Sequence, residues 1–467
     1  MQSHGYEIEE SYLCVFLLSK FRKERIIMKQ INGQKTNEIE ISRLGKHIGE
    51  ELHLKGYVYK IRNMSDFSFV IIRTKREMIQ CIYSPEHCSF PIKELKENSS
   101  ILFIGEVLKE ERSKKGYEIR LKEITLLTAP AEEVPVVINN KKVDASLDTI
   151  LDYRVITLRN EKEKAIFKIQ EGILHGAREF LKKNQFTEIM TPKIVYQGAE
   201  GGANIFKLDY FGQEAYLAQS PQFYKQMMVG VYERVFEIGK VYRAEKHDTS
   251  RHLNEYIGLD FEMGFIESFY DIMEMEVAML QSIMEYLKEH YTLELDLLSV
   301  NLPSVSDIPS ITFMEAKELI AKTYKREIKD YYDFEPEEEK LLCQIIYEMT
   351  GKEFVFVTHY PTAKRPFYAM EDSDNKEYTL SFDLLFRGLE VTTGGQRIHN
   401  YNEQIQKMEA RNMNPDEFES YLMLHKYGIC PHGGLGIGVE RLTMCLLNRQ
   451  NVRETSLFPR DMKRLIP

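Results

Sequence analysis

The segment Val235 to Phe265, VFEIGKVYRAEKHDTSRHLNEYIGLDFEMGF, constrains this chain more than any other. Alternation along its first limb, Val235 to Glu245, puts Glu237, Arg243 and Glu245 on one strand face. The second limb returns through Tyr256 to Glu262, and Lys246, His247, Arg251 and His252 fall in the loop between. A charged hairpin tip is ordinarily just solvated. Here the charges continue along the strand bodies. A sheet that buries charges must pair them or use them, because an unpaired buried charge is prohibitively costly.

The rest of the chain must supply the partners. Its 467 residues suggest about three units at ~150 residues each. With 43% apolar and 29% charged residues, it has the composition of a globular protein rather than a disordered or fibrous one. No run approaches the ~20 apolar residues that cross a bilayer. The net charge of −10 disfavours non-specific nucleic-acid binding but leaves room for one local basic face. Six cysteines, at 14, 81, 88, 343, 430 and 445, include no Cys-x-x-Cys pair, which argues against structural zinc and for reduced thiols in a cytoplasmic protein. Residues 1–40 read as an extension, with Met28 as an alternative start. Their apolar run Tyr12 to Leu18 follows Glu7, Glu9 and Glu10, where a signal peptide carries positive charge.

Residues 41–128 read as five short strands with a helical patch near Pro91–Asn98, the pattern of an OB-type barrel. Tyr117, Ile119 and Leu121 alternate with charged residues there. Residues 129–150 are polar, carry two prolines and read as a linker. The remaining unit, 151–467, opens on a long helix whose face is Ile166, Ile169, Ile173, Ala177 and Phe180. It holds neither GxGxxG nor GxxxxGK[ST], so a nucleotide would need another kind of site.

Three further clusters carry chemistry. In SFDLLFRGLEVTTGGQRIHN, Arg387-Gly388 suits a tight turn that pairs Leu385 with Glu390 and leaves Asp383 on the same face. Two carboxylates meeting there suit magnesium shared with substrate phosphates. In QSPQFYKQ, Ser220 suits an N-cap and Pro221 the first helical position, so Gln222 and Lys225 share the first turn. A lysine near a helix N-terminus runs against the macrodipole and hints at an anionic ligand. In GGLGIGVER, glycines admit close approach of a ligand and Arg441 starts a helix.

Together these segments resemble the class II aminoacyl-tRNA synthetases, in particular the aspartyl-tRNA synthetases of archaeal and eukaryotic type. The resemblance runs from about residue 45 through the terminal LFPRDMKRLIP. The long helix with FTEIMTPKI around Pro192 is similar to motif 1. FEIGKVYRAE with TSRHLNEYIGLDFEM is similar to motif 2, and GGLGIGVERLTM to motif 3. The implied fold is α+β: an OB-fold barrel, then an antiparallel six-stranded sheet flanked by helices, in a homodimer.

The implied substrates are ATP, L-aspartate and tRNA(Asp), with Mg2+ as cofactor. By this resemblance Arg243 holds the α-phosphate, Glu245 the adenine amino group, and Tyr256 and Arg441 the two adenine faces. Arg251 and His252 reach the γ-phosphate, and Ala244, Leu253, Gly438, Val439 and Glu440 complete the ATP site. Asp383, Glu390 and Thr393 match the metal positions. Strict alternation would put Thr392 beside Glu390 instead, so the transfer to Thr393 requires a bulge. Lys225 and Arg397 match the grip on the β-carboxylate, where a bidentate guanidinium suits a carboxylate. Glu200, Gln222 and Asp260 match the rest of the amino-acid pocket, to which Arg243 and Thr393 also contribute. Neither adenylate formation nor transfer to the 3′-hydroxyl demands a side-chain base, so positioning and charge carry the rate.

In the barrel, Arg62, Phe69 and Gln80 match anticodon contacts, with Phe69 stacking a base. A barrel-core role is the alternative for Phe69. Tyr57 stands where relatives often have Trp, a residue this chain lacks. The smaller ring leans the expectation toward an enzyme that also charges tRNA(Asn). A synthetase-like adenylate binder that charges no tRNA is the competing reading. The barrel and the intact Arg243, Glu390 and Arg441 weigh against it.

Overall fold

The computed structural model describes residues 41–75, 77–113, 115–196, 204–246 and 249–466. The 1–40 extension, Glu200 and His247 lie outside them. The chain forms two compact units that divide between Glu133 and Val134.

The first unit is a closed barrel of β1 (Glu51–Asn63), β2 (Ser68–Arg73), β3 (Met78–Tyr83), β4 (Ser100–Lys109) and β5 (Tyr117–Thr128), in the order β1-β2-β3-β5-β4. A 3-10 turn at Ile92–Glu94 stands where the helical patch was expected. Val58, Val70, Ile72, Cys81, Ile101, Val107, Ile119 and Leu121 fill the interior, one residue in two from each strand. Closure leaves the sheet without a free edge. Glu118 is buried as well, so alternation fails at that position of β5.

The second unit starts inside the stretch expected to be a linker. Val136, Ile138 and Val143 are buried there, and the Asn160 amide donates to the carbonyls of Ile138 and Asn140. Polar composition concealed three apolar anchors. Asn160 also caps the helix Glu161–Lys183, its side chain accepting from the N–H groups of Lys162 and Glu163.

Further strands follow in chain order: β6 (Thr187–Glu188), β7 (Ile194–Val195), β8 (Lys207–Tyr210), β9 (Gln213–Leu217), β10 (Arg234–Tyr242), β11 (Glu255–Gly264), β12 (Ser310–Thr312), β13 (Phe354–Thr358), β14 (Ser381–Phe386), β15 (Leu389–Arg397) and β16 (His432–Gly438). The main sheet has eight strands, ordered β12-β13-β14-β15-β16-β11-β10-β6. The six expected strands are its antiparallel centre. Short parallel strands, β12 and β6, extend it at either edge. A separate three-stranded sheet is ordered β7-β9-β8.

Alternation sorts the two faces of the main sheet. Leu259, Phe261 and Met263 of β11, Phe382 and Leu384 of β14, and Leu435 and Ile437 of β16 enter one core. Helices Glu161–Lys183 and Tyr270–His290 cover that face, and their buried residues belong to the same core. The opposite face carries Asp260, Asp383 and Glu390, and it opens into a cavity.

Candidate active site

The cavity measures about 380 Å3. It gathers Gln222, Lys225, Arg243, Glu245, Arg251, His252, Leu253, Tyr256, Asp260, Asp383, Glu390, Thr393, Arg397, Gly438, Glu440 and Arg441. Residues more than two hundred positions apart in sequence therefore share one wall. Ala244 and Val439 do not line it; Val439 is buried in the core at the start of the helix Val439–Leu446.

Lys225 sits on the first turn of the helix Gln222–Tyr232 and is buried. The turn starts differently from expectation. Pro221, not Ser220, is the cap, because its carbonyl accepts the first intrahelical bond, from the Lys225 N–H. The Ser220 hydroxyl is buried with no hydrogen-bond partner among the described residues. The misfit of a lysine at a helix N-terminus is answered inside the fold. Lys225 Nζ lies 3.1 Å from Asp260 Oδ1 and 3.4 Å from Glu262 Oε2, and it donates to the Leu435 carbonyl at 2.8 Å.

Arg397 shares Glu262. Its Nε donates to Glu262 Oε1 at 2.9 Å, and its Nη2 donates to the Gly434 carbonyl at 2.9 Å. The same Nη2 lies 3.5 Å from Gln222 Oε1. Glu262 is fully buried. Burial opposes its charge, but Arg397 and Lys225 outweigh that and hold the carboxyl below its ordinary value. Asp260 is pushed the other way, by burial that Lys225 offsets only in part.

Beyond this floor stand Asp383 and Glu390. The β14–β15 turn has φ of 51° at Arg387 and 85° at Gly388, the left-handed pair of a tight hairpin. Leu385 pairs with Glu390, and the register then shifts so that Leu384 faces Thr392 and Asp383 faces Thr393. The extra residue, Val391, is the bulge that the metal assignment of Thr393 required. The Thr393 hydroxyl donates to Glu390 Oε1 at 3.1 Å. Thr392 turns away and donates to the buried Glu276. Burial raises the Asp383 carboxyl, and Arg365 opposes that only in part. Burial also opposes ionisation of Glu390, yet Arg441 and Arg365 together hold it low. Asp383 Oδ1 is ion-paired with the Arg365 guanidinium, at 2.8 Å. Two carboxylates and a hydroxyl fit a hard divalent cation completed by substrate oxygens, with Arg365 paired to one of the carboxylates. They do not make a closed protein cage, and no cluster of three or more His, Cys, Asp or Glu suited to a metal occurs among the described residues.

Arg243 and Glu245 also line the cavity, just past the end of β10. The Arg243 N–H still bonds the Asn254 carbonyl, so the ladder outlasts the strand. Arg243 stands 5.8 Å from the centroid of the Tyr256 ring and 3.9 Å from Glu245. His252 lies 3.7 Å from Glu245 and exchanges a hydrogen bond with the Thr249 hydroxyl. Arg251 is bound by both oxygens of Glu339, at 2.6 and 2.9 Å. Arg441 donates to the Glu390 carbonyl at 3.1 Å. Glu440 lines the cavity, but its carboxylate accepts from the Ile257 N–H at 2.9 Å and so braces β11.

Several lining residues escaped the sequence reading. Tyr360, Lys364, Arg365 and Tyr368 come from a stretch with no motif, and Arg365 stacks 3.9 Å from the Tyr360 ring. Only the charged KR pair before PFY marked that stretch. Glu262 stood in the charged hairpin without a role.

In the barrel, Arg62 pairs with Phe69 across β1 and β2, and Ile71, two residues on, pairs with Gln80. The three side chains therefore share the outer face. Phe69 is half-buried, outside the barrel core, and packs edge-on against Phe67. The Gln80 amide is engaged by Glu118. Tyr57 is exposed, with Arg73 4.7 Å above its ring.

The family model for class II tRNA synthetases (D, K and N) matches residues 146–462. An aspartate–tRNA(Asp/Asn) ligase of Deinococcus radiodurans is 46% identical over 430 residues, covering 91% of this chain and 97% of the relative. An aspartate–tRNA(Asp) ligase of Pyrococcus abyssi is 38% identical over 425 residues, covering 90% and 97%. Among solved structures, asparaginyl-tRNA synthetase from Pyrococcus horikoshii with asparaginyl-adenylate superposes with a TM-score of 0.84 at 30% identity, covering 90% of this chain and 97% of that one. Aspartyl-tRNA synthetase from Entamoeba histolytica gives 0.82 at 28% identity, covering 94% and 96%. The ordered motifs, the sheet that carries them and these matches agree: the chain belongs to the class II tRNA synthetases of the D, K and N group.

Proposed function

We propose that this protein is an aspartate–tRNA ligase, which forms aspartyl-adenylate from L-aspartate and ATP and transfers the aspartyl group to tRNA. The observation that carries this reading is the buried Lys225–Arg397 pair on the cavity floor. Two cations answer a β-carboxylate, whereas the β-amide of asparagine offers them no charge. Gln222 and Asp260 complete the described part of that pocket, and Glu200 belongs to the rest of the assignment.

The aspartate α-carboxylate attacks the α-phosphate, and pyrophosphate leaves in line. Arg243 stabilises the charge that grows on the phosphoryl oxygens, and Arg251 and His252 hold the leaving phosphates. Tyr256 and Arg441 clasp the adenine by stacking and cation–π attraction. Asp383, Glu390 and Thr393 would hold a magnesium ion, which would supply further positive charge to the phosphates. In the second step the tRNA 3′-hydroxyl attacks the adenylate. Positioning carries both steps.

The outer face with Arg62, Phe69 and Gln80 reads the anticodon, and Tyr57 leaves the discrimination relaxed, so tRNA(Asn) is charged as well. The protein works as a homodimer in the cytoplasm. Met190 and Tyr196, 91% and 76% exposed beside the Pro192 segment, supply apolar surface for a partner copy. The described cysteines are free, and no described helix is long and apolar enough to cross a membrane.

ATP–pyrophosphate exchange tests the core of the reading. Exchange dependent on aspartate and at least about a hundredfold weaker with asparagine is expected; equal exchange with the two would overturn it. Aminoacylation of both purified transcripts tests tRNA choice. Specificity constants within about tenfold are expected, and a ratio above about a hundred, roughly 2.7 kcal/mol, marks a strict enzyme.

A further inference from the structure

Glu339 touches nothing that reacts and does not line the cavity, yet it joins two parts that must meet one polyphosphate. It sits on the helix Pro336–Thr350, 6% exposed. Both its oxygens take the Arg251 guanidinium, and Oε2 also accepts the Glu390 N–H at 3.1 Å. On the other side Arg441 donates to the Glu390 carbonyl at 3.1 Å and to the Arg251 carbonyl at 3.4 Å. Residues 251 and 390 are thus held together twice, once by an anion and once by a cation. The helix that presents Glu339 is itself anchored. Its neighbour Glu338 forms a fully buried pair with Lys317 at 2.6 Å and closes the capping box at Glu335. Lys340, the next residue, packs against Gly388 in the β14–β15 turn, 3.0 Å from the place a Cβ would take. The support therefore reaches the hairpin that carries Asp383 and Glu390.

We propose that Glu339 is a positioning residue for ATP, fixing the Arg251 guanidinium relative to the Glu390 carboxylate so that both meet the same polyphosphate. This rests on the proposed roles of Arg251 and Glu390 in holding ATP and its metal. A half-buried guanidinium on a loop has many rotamers, and a carboxylate that takes its Nη2 with both oxygens selects among them. The Glu390 N–H adds a second tie, because Oε2 has two lone pairs and accepts from both Arg251 and Glu390, while Oε1 still serves Arg251. Without Glu339, Arg251 relaxes and the two anchors lose register, while the aspartate floor of Lys225, Arg397 and Glu262 stays as it is.

The test uses the full chain in aspartate-dependent exchange, with Glu339→Ala, Glu339→Gln, Arg251→Ala and the Arg251→Ala/Glu339→Ala double variant. For Glu339→Ala the expected result is a KM for ATP raised about tenfold or more, with the KM for aspartate within about twofold. Glu339→Gln, which keeps one acceptor, falls between this and the wild type. The double variant is no worse than Arg251→Ala, since the two residues act as a unit. Equal increases in both KM values overturn the proposal, as does additivity in the double variant. A lowered KM for ATP also overturns it, and makes Glu339 a latch that withholds Arg251. Should Glu339→Ala not fold, Glu339→Gln decides by the same split. A wild type without exchange sinks the functional reading instead, so the two failures are told apart.

Discussion

At the scale of single residues, Lys225 carries the sharpest prediction. It faces Asp260 and Glu262 in a buried cluster, so removing its charge leaves two carboxylates short of a partner as well as the substrate. Lys225→Leu should lose aspartate activation by a penalty on the order of 3–5 kcal/mol, while calorimetry still detects ATP binding. Exchange kinetics unchanged with aspartate would remove Lys225 from the pocket. Glu276 makes a different prediction. It lies in the core beneath β15, bonded to Thr392, and burial pushes its carboxyl up to about 8 from an ordinary 4.5. Folding therefore favours its protonated form. The stability this contributes is full below about pH 4.5 and is lost as pH rises through about 8. In Glu276→Gln that proton is gone, so denaturant midpoints should fall less between pH 5 and 9 than in the wild type. Parallel curves for the two proteins would show that Glu276 is ionised in the fold.

At the scale of elements, the positions of glycine and of one extra residue decide what the sheet can hold. Strand β16 runs between β11 and β15, and Gly434 pairs with Glu262 on one side and Gly395 on the other. A Cβ there would stand 2.1 Å from the Phe261 carbonyl oxygen and 2.3 Å from Glu262 Oε2. Backbone cannot yield at that distance, so Gly434→Ala should destabilise by more than about 3 kcal/mol, read as a loss of soluble protein or a large drop in Tm. A normal melt would mean the three strands sit further apart. Gly230, in the helix Gln222–Tyr232, has nothing within 4 Å of a built Cβ. Gly230→Ala should raise stability by about 0.5–1 kcal/mol with exchange unchanged. The bulge at Val391 belongs to this scale too. Plain alternation would send Thr392 to the cavity and Thr393 into the core, whereas one unpaired residue reverses them.

At the scale of the whole molecule, the two units have separate interiors. The barrel closes around its own core, and the sheet and its helices around another. Every residue lining the cavity lies in 134–467. A fragment of residues 134–467 should therefore keep aspartate-dependent exchange within about tenfold of the full chain and lose most of its aminoacylation, because the barrel carries the proposed anticodon contacts. Exchange that disappears from a folded fragment would tie the chemistry to the barrel.

Much of this was legible in the amino-acid order, and for a local reason. Alternation along β5 and β10, the 3-and-4 spacing of Ile166 to Phe180, and the turn at Arg387-Gly388 depend on near neighbours, so pattern alone determined them. The charges along the hairpin likewise required partners before any partner was visible. What alternation could not express was decided by the tertiary structure. The cap passed from Ser220 to Pro221 according to which carbonyl the helix bonds. The polar stretch 134–150 became part of the second unit because Val136, Ile138 and Val143 found a place to bury. Glu339 reached Arg251 across 88 residues, and Arg365 reached Asp383 from a segment without a motif. Contacts of that span depend on how distant elements pack, and no short window of sequence contains both partners.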